Sequence, residues 1–225
     1  MATTSRIPIQ NVYYLLCYAW EQMRAGQIAE TGATEQTELV DLFAQVLING
    51  TERVLKQGLD RGYVPRSETT SRPRGRIDFD RSVKRALLPR AQVHCHYDQL
   101  SRDVVHNQIL KATLSYLAQA EGIDPDLRSK LLSLRRRFQK VTDLRLRRDL
   151  FQQVQLHSGN AFYRFLLHVC SFIEKNLIAT EAGTGQRFRD FLQDEATMWK
   201  LFEEFVYNFY VHEQDRYKVS APHIQ

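Results

Sequence analysis

Apolar residues recur at helical spacing along most of the chain, and in one stretch the period changes. Pro8 opens a run continued by Val12, Leu15, Leu16, Ala19 and Met23, which predicts an amphipathic helix with Asn11 as a candidate cap. Tyr13, Tyr14, Tyr18 and Trp20 make it unusually aromatic. Residues 24–37 read as a loop. A second helix is expected over 38–57, carried by Leu39, Leu42, Phe43, Val46, Leu47, Val54 and Leu55. Gly50 weakens its middle, and Gly58 is placed to end it. From 62 to 80 the helical period is lost. Gly62-Tyr63-Val64-Pro65 and then Glu68-Thr69-Thr70 read as short extended pieces, Arg72-Pro73-Arg74-Gly75-Arg76 as a basic turn, and Ile77-Asp78-Phe79 as a strand. A helical piece opening at Asp80-Arg81-Ser82 and ending near Pro89 follows, then a strand over 92–97.

The rest is helical again. Residues 101–121 give the clearest helix, with Ser101 as its expected cap and Gly122 closing it. Another, rich in Arg and Leu, is expected over 126–138 after Pro125. Residues 139–150 fit a strand or an irregular approach equally well. Phe162–Ile178 reads as a strongly apolar helix, 180–187 as a glycine-containing loop, 188–191 as a short β or irregular segment, and about 194–212 as a last helix. The expected fold class is therefore mixed α/β, predominantly helical, with a small β unit near residues 62–97.

The 225 residues are enough for a real apolar core. With 43% hydrophobic and 25% charged residues, the composition is that of a globular chain and not of a disordered or fibrous one. No run approaches the roughly 18 apolar residues a membrane span needs, and the first residues lead into no signal-type core. Cys17, Cys95 and Cys170 form no CxxC pair, so reduced core thiols and a cytoplasmic location are expected. The net charge of +5 is unevenly spread. Residues 61–90 carry 9 basic and 3 acidic groups, and residues 128–150 carry 9 and 2. The remaining segments are each net negative. Two Arg-dominated clusters result: Arg66, Arg72, Arg74, Arg76, Arg81, Lys84 and Arg85, and then Arg135, Arg136, Arg137, Lys140, Arg145, Arg147 and Arg148. Guanidinium groups suit bidentate contact with phosphate and with carboxylate alike. The clusters fit a nucleic acid, an acidic protein surface or a solvated face, and spacing does not choose among them.

Other candidate chemistry is thinner. His94-Cys95-His96 with Asp98 places two histidines on one strand face but supplies no clear third metal ligand. The chain contains no GxxxxGK[ST], no GxGxxG and no HExxH. Glu203 and Glu204 are adjacent on the last helix and point about 100° apart, so both cannot face one core.

The opening Ile7-Pro8-Ile9-Gln10-Asn11-Val12-Tyr13-Tyr14-Leu15-Leu16-Cys17-Tyr18-Ala19-Trp20 closely resembles that of the McrC family, the partner subunit of the McrBC modification-dependent restriction systems. Further matching segments run through Gly58–Tyr63, Arg74-Gly75-Arg76-Ile77-Asp78-Phe79, Tyr97–Asp103, Asn107–Leu114, Asn160 with Tyr163, and Leu201–Val206. The resemblance implies two parts: residues 1–180, binding a McrB-like AAA+ GTPase hexamer and bridging to a nuclease, and residues 188–225, the start of a truncated PD-(D/E)xK-type nuclease domain. It implies that the first part stimulates GTP hydrolysis and that Glu203 is an accessory carboxylate. It implies Mg²⁺ in the complete nuclease, GTP on the partner, no cofactor on this chain, and double-stranded, methylated DNA as the target. The Asp and (Asp/Glu)-x-Lys core of the family does not follow Glu204, so a fragment or short form without cleavage activity of its own is expected. Arg72, Arg74 and Arg76 are the turn residues expected to act on the partner. The competing readings are a stand-alone DNA-binding protein using the same Arg clusters, and a Mg²⁺-dependent nuclease in its own right.

Overall fold

The computed structural model describes residues 9–19, 38–156, 160–179, 186–188 and 194–213. The expected loop at 24–37, residues 180–185 of the loop expected over 180–187, residues 189–191 of the segment expected over 188–191, and the tail from Tyr217 lie outside the described residues; residues 186 and 187 of the second loop are strand instead.

The helical body is built where the apolar spacing placed it. Helix α1 (Ile9–Ala19) buries Val12, Leu16 and Cys17. Asn11 lies inside this helix and is exposed, so it is no cap. Helix α2 (Leu39–Gln57) buries a wide stripe from Leu39 to Val54. Gly50 is more than a weak point in it. A Cβ there would overlap the fully buried Leu166 side chain, so the missing side chain is what lets the two helices close together. Helices α4 (Val105–Ala118), α5 (Pro125–Arg136), α6 (Arg148–Gln152) and α7 (Ala161–Asn176) complete the bundle. Helix α4 is central: α5, α6, α7 and α2 all pack on it. Ile109, Leu110, Leu114 and Leu117 of α4 meet Phe43, Phe165, Leu166 and Ile173 in one continuous core. Asp124 caps α5, its carboxylate accepting from Asp126 N and Leu127 N, with Pro125 at the first helical position. The last helix, α8 (Glu195–Glu213), packs against α1.

Between α2 and α4 the chain forms a three-stranded antiparallel sheet. Strand β3 (Val93–Ser101) is central, flanked by β1 (Gly62–Thr70) and β2 (Arg76–Asp78). Cα partners run from Gly62↔Ser101 to Thr70↔Val93 on one side, and from Arg76↔His96 to Asp78↔His94 on the other. A short helix α3 (Phe79–Lys84) follows β2. The strands pack chiefly on one another and on α3. Buried Leu87 and Cys95 lie outside the main core. The β unit therefore stands off the helical body. A second small sheet pairs β4 (Leu177–Ala179) with β5 (Gln186–Phe188).

Several boundaries differ from the sequence reading for local reasons. The strand after the basic turn stops at Asp78, because the Asp78 carboxylate accepts from Arg81 N at 2.9 Å and caps α3, so Phe79 is helical and 64% exposed. Ser101 ends β3 instead of capping a helix: its hydroxyl accepts from Asp103 N, and α4 begins at Val105. The expected strand 92–97 runs four residues further. The apolar helix of 162–178 ends at Asn176, where the chain turns into β4. Residues 139–147 are irregular, without strand pairing.

Candidate functional site

The basic turn is held from three directions. Arg74 Nε donates to Glu68 Oε1 at 2.9 Å, Nη2 donates to the Tyr97 hydroxyl at 2.6 Å, and the guanidinium lies 3.9 Å from the Tyr97 ring centroid. Gly75 turns at φ +65°, pressed against the backbone of His96 and Tyr97. Arg72 N donates to Thr70 Oγ1. Arg74 is thus a staple of the turn, whereas the side chains of Arg72 and Arg76 are exposed and make no ion pair among the described residues.

The alternation of strand faces sorts the rest. Arg66 lies opposite Tyr97, on the face that carries Arg74 and Glu68. Arg76 lies on the other face with His94, His96 and Asp78. Within that face the His94 ring is bonded to Thr69 Oγ1 and stands edge-on to His96, 5.2 Å away, and His96 Nε2 lies 3.2 Å from Asp78 Oδ2. Both histidines therefore already have protein partners, and no group of three His, Cys, Asp or Glu among the described residues is arranged to hold a metal ion. Lys84 pairs with Asp80. Arg81 is half-buried and Arg85 exposed at the end of α3.

The second cluster is divided differently. Arg135 pairs with Asp143 at 3.1 Å, Arg147 with Asp149 at 2.9 Å, and Arg148 reaches Glu174 at 3.4 Å. Arg136, Arg137, Lys140 and Arg145 are exposed without ion pairs among the described residues. Lys140 sits at φ +63°. The clusters approach each other at Asp103. Its carboxylate accepts from Thr142 N, Thr142 Oγ1 and Gln108 Nε2 at 2.7–2.8 Å, and it feels the charge of Arg66. Burial opposes ionisation of Asp103, but these donors prevail and hold its carboxyl below the usual range. The 139–147 segment is thereby fastened to the root of the β unit, on the Arg66 side. No hydrogen bond or ion pair among the described residues joins it to Arg72–Arg76. Glu203 and Glu204 are both exposed on α8, near exposed Trp199 and Phe202.

The root of the β unit holds a polar network outside both basic clusters. Asp60, just before β1, donates its N–H to Tyr163 OH at 2.9 Å, and Tyr163 OH donates to Asn107 Oδ1 at 3.1 Å. Asn107 Nδ2 donates to the carbonyls of Asp60 and Arg102, at 2.9 and 2.7 Å. Asn160 Nδ2 donates to Asp60 Oδ2, and His106 Nε2 lies 3.2 Å from the same oxygen. Both chain crossings into the sheet are thus tied to α4 and α7 by one set of side chains. Beyond the family resemblance at Gly58–Tyr63, Asn107 and Asn160 with Tyr163, nothing in their spacing marked them as one cluster. Burial pushes the Tyr163 phenol up to about 12, so it stays a proton donor at neutral pH.

The environments of three histidines predict an acid-sensitive fold. Burial, and next the charge of Arg81, lowers His94 below its ordinary 6.5. Burial lowers His106 against the pull of Asp60, and burial followed by the charge of Arg164 lowers His168. A histidine with a depressed folded pKa contributes stability above its unfolded value and loses it as pH falls toward the folded one. Asp78, held low first by the Arg81 N–H and then by His96, adds a loss of the same sign at more acid pH. Urea-unfolding midpoints are expected to be equal at pH 8 and 7.5 and to fall steadily from about pH 6.5 downward. Midpoints that rise over that window would contradict the assignment.

Comparison with known proteins places this architecture among relatives. The family model for "McrBC 5-methylcytosine restriction system component" matches residues 8–224. The Escherichia coli K12 "Type IV methyl-directed restriction enzyme EcoKMcrBC" is 30% identical over 203 residues, which cover 90% of this chain and 58% of that protein. A chain in the cryo-EM structure of the Thermococcus gammatolerans McrBC complex superposes with a TM-score of 0.62 at 20% identity, covering 94% of this chain and 60% of the other. A chain of the half-complex from a tetradecameric assembly of T. gammatolerans McrB AAA+ hexamers with bound McrC gives 0.56 at 18% identity, covering 92% and 48%. At these identities the two structures establish the shared fold. The chain spans less than two thirds of the length of each relative.

Proposed function

The chain belongs to the family of McrBC 5-methylcytosine restriction system components, and from that premise we propose that it is the McrC-like subunit of a type IV, modification-dependent restriction complex, acting by contact with a McrB-like AAA+ GTPase hexamer. The observation that carries this reading is the β unit: it stands off the helical body, is fixed at its root by the Asp60–Asn107–Tyr163 network, and presents a basic turn pinned by Arg74 to Glu68 and Tyr97. Such an element suits insertion into a partner ring, where a guanidinium or backbone group shifts subunits into a hydrolysis-competent state. Residues 1–180 are assigned to this bridging role and 188–225 to the start of a nuclease part, with Glu203 its accessory carboxylate. Alone, Glu203 does not make a magnesium site. GTP belongs to the partner. The free Arg136, Arg137, Lys140 and Arg145 favour a second contribution, guiding double-stranded, methylated DNA along the complex with salt-dependent affinity.

The test is steady-state GTP hydrolysis by the cognate AAA+ partner, without DNA, in the presence and absence of this chain. Stimulation is expected. Changing Arg72 and Arg76 together to alanine should lower it at least ten-fold while leaving unfolding unchanged, because both side chains are exposed and make no ion pair among the described residues. Arg74→Ala should act differently, by loosening the turn. Complex formation without stimulation would reduce the chain to a docking subunit. Absence of a complex would leave DNA binding as the reading.

A further inference from the structure

Strand β3 pairs with β1 along its whole length but with β2 only from His94 to His96. From Tyr97 to Ser101 its second side has no strand partner among the described residues. The direction of its backbone groups follows from two observations. The His94 N–H donates to Ser82 Oγ, which in turn donates to the Asp78 carbonyl, so at His94 the amide points away from β1. Alternation with period two then turns the N–H and C=O of Asp98 and Leu100 to that same open side. Pro65, the Cα partner of Asp98, agrees: at such a pair its missing N–H falls on the outer side of β1. That outer edge is blunted by proline in the manner of a protected edge strand. The open side of β3 has no such protection.

A concavity lies along this open side, lined by Arg74, Gly75, Arg76 and His96–Leu100. Arg76 stands at one end and Arg102 just past the other, both exposed and without ion pairs among the described residues. Leu100 and its cross-strand neighbour Tyr63 are 50% and 75% exposed on one face beside it. Backbone groups in register, an apolar shelf and flanking guanidinium groups are what an added strand with acidic ends would use. A second copy of this chain would instead bring a net charge of +5 against the same basic ends.

We propose that the Tyr97–Ser101 edge of β3 is a strand-addition site for an extended, acidic-flanked segment of the AAA+ partner. This rests on the bridging reading above and names the surface through which it is achieved. Residue-resolved hydrogen exchange on the full chain, alone and with the cognate ring, tests it. The Asp98 and Leu100 amides should exchange at least ten-fold more slowly in the complex, while the Gln99 amide, directed at β1, is protected in both states. Asp98→Pro removes one open-side donor and leaves the β1 ladder intact. It should weaken ring binding at least ten-fold without moving the thermal midpoint. Arg76→Glu with Arg102→Glu should weaken it too, without touching the backbone. Ring binding with both amides unprotected and Asp98→Pro equal to the parent would overturn strand addition and leave the bridging reading standing. Failure of the unsubstituted chain to bind would overturn both. A concentration-dependent dimer in sedimentation, dispersed by Asp98→Pro, would give the edge to a second copy and overturn the assigned occupant.

Discussion

Gly75→Val is expected to unpair β2 from β3 and to abolish stimulation of the AAA+ partner while leaving the helical body folded. The backbone at Gly75 has φ +65°, a region that costs a residue with a Cβ about 1–2 kcal/mol and a β-branched one more. Sterics add to this. An ideal Cβ would lie 2.7 Å from Tyr97 Cβ and 3.1 Å from Tyr97 Cα, and closer still to the His96 carbonyl oxygen. Two of these are backbone atoms of the central strand, so no side-chain rotation relieves the contact. The strand β2 is three residues long and cannot resist such a push. Loss of its register also removes the platform on which Arg74 meets Glu68 and Tyr97. Because the β unit stands off the main core, the global unfolding midpoint should drop by only a few degrees. Exchange at Arg76–Asp78 should rise to that of an open chain, and GTPase stimulation should fall at least ten-fold. Stimulation that survives with β2 demonstrably unpaired would show that the turn geometry is not what the partner reads.

What the sequence made legible follows from the range of the forces involved. Helical periodicity is local, so α2, α4, α5 and α7 were found with ends wrong by a few residues. Those ends depend on single side-chain decisions. Asp78 captures the Arg81 amide and converts Phe79 from strand to helix. Ser101 turns to Asp103 instead of opening α4. The small β unit was visible because the period breaks near Gly62 and Pro65. The strand order β1-β3-β2 was not, since pairing across a sheet leaves no trace in local spacing. The basic clusters were visible as composition, but their division was hidden. Arg74, Arg135 and Arg147 look no different in sequence from Arg72, Arg136 and Arg145, and only the placement of Glu68, Asp143 and Asp149 separates bound guanidinium groups from free ones. The root network was the least legible feature, because Asp60, Asn107 and Tyr163 are joined across 47 and 103 positions of sequence.

That network carries the largest expected effect on stability. Asn107→Ala should cost about 3–5 kcal/mol, a large share of the roughly 5–15 kcal/mol that holds a domain together. The Asn107 side chain is fully buried and fills three hydrogen bonds, with the Asp60 carbonyl, the Arg102 carbonyl and the Tyr163 hydroxyl. Alanine removes the donors of the Asp60 and Arg102 carbonyls, two part-buried bonds worth about 0.5–1.5 kcal/mol each, and strands the buried Tyr163 proton at about 1–3 kcal/mol. Tyr163→Phe should cost less, about 2–3 kcal/mol, because it frees only the Asp60 N–H and Asn107 Oδ1. If the side chains act as one unit, the double variant must be less destabilised than the sum of the single changes, by at least about 0.5 kcal/mol. Urea unfolding of the four proteins measures this directly. Strict additivity would reduce the network to independent contacts. The functional consequence is separable from the energetic one. Tyr163→Phe should leave the Arg72–Arg76 turn intact, since no bond of that turn involves Tyr163, yet loosen both crossings into the sheet. Stimulation of the partner should then fall through weaker binding, restored at higher chain concentration, whereas the Arg72 change should lower the plateau itself. A shared phenotype for the two kinds of variant would mean that the root and the turn do not have distinct roles.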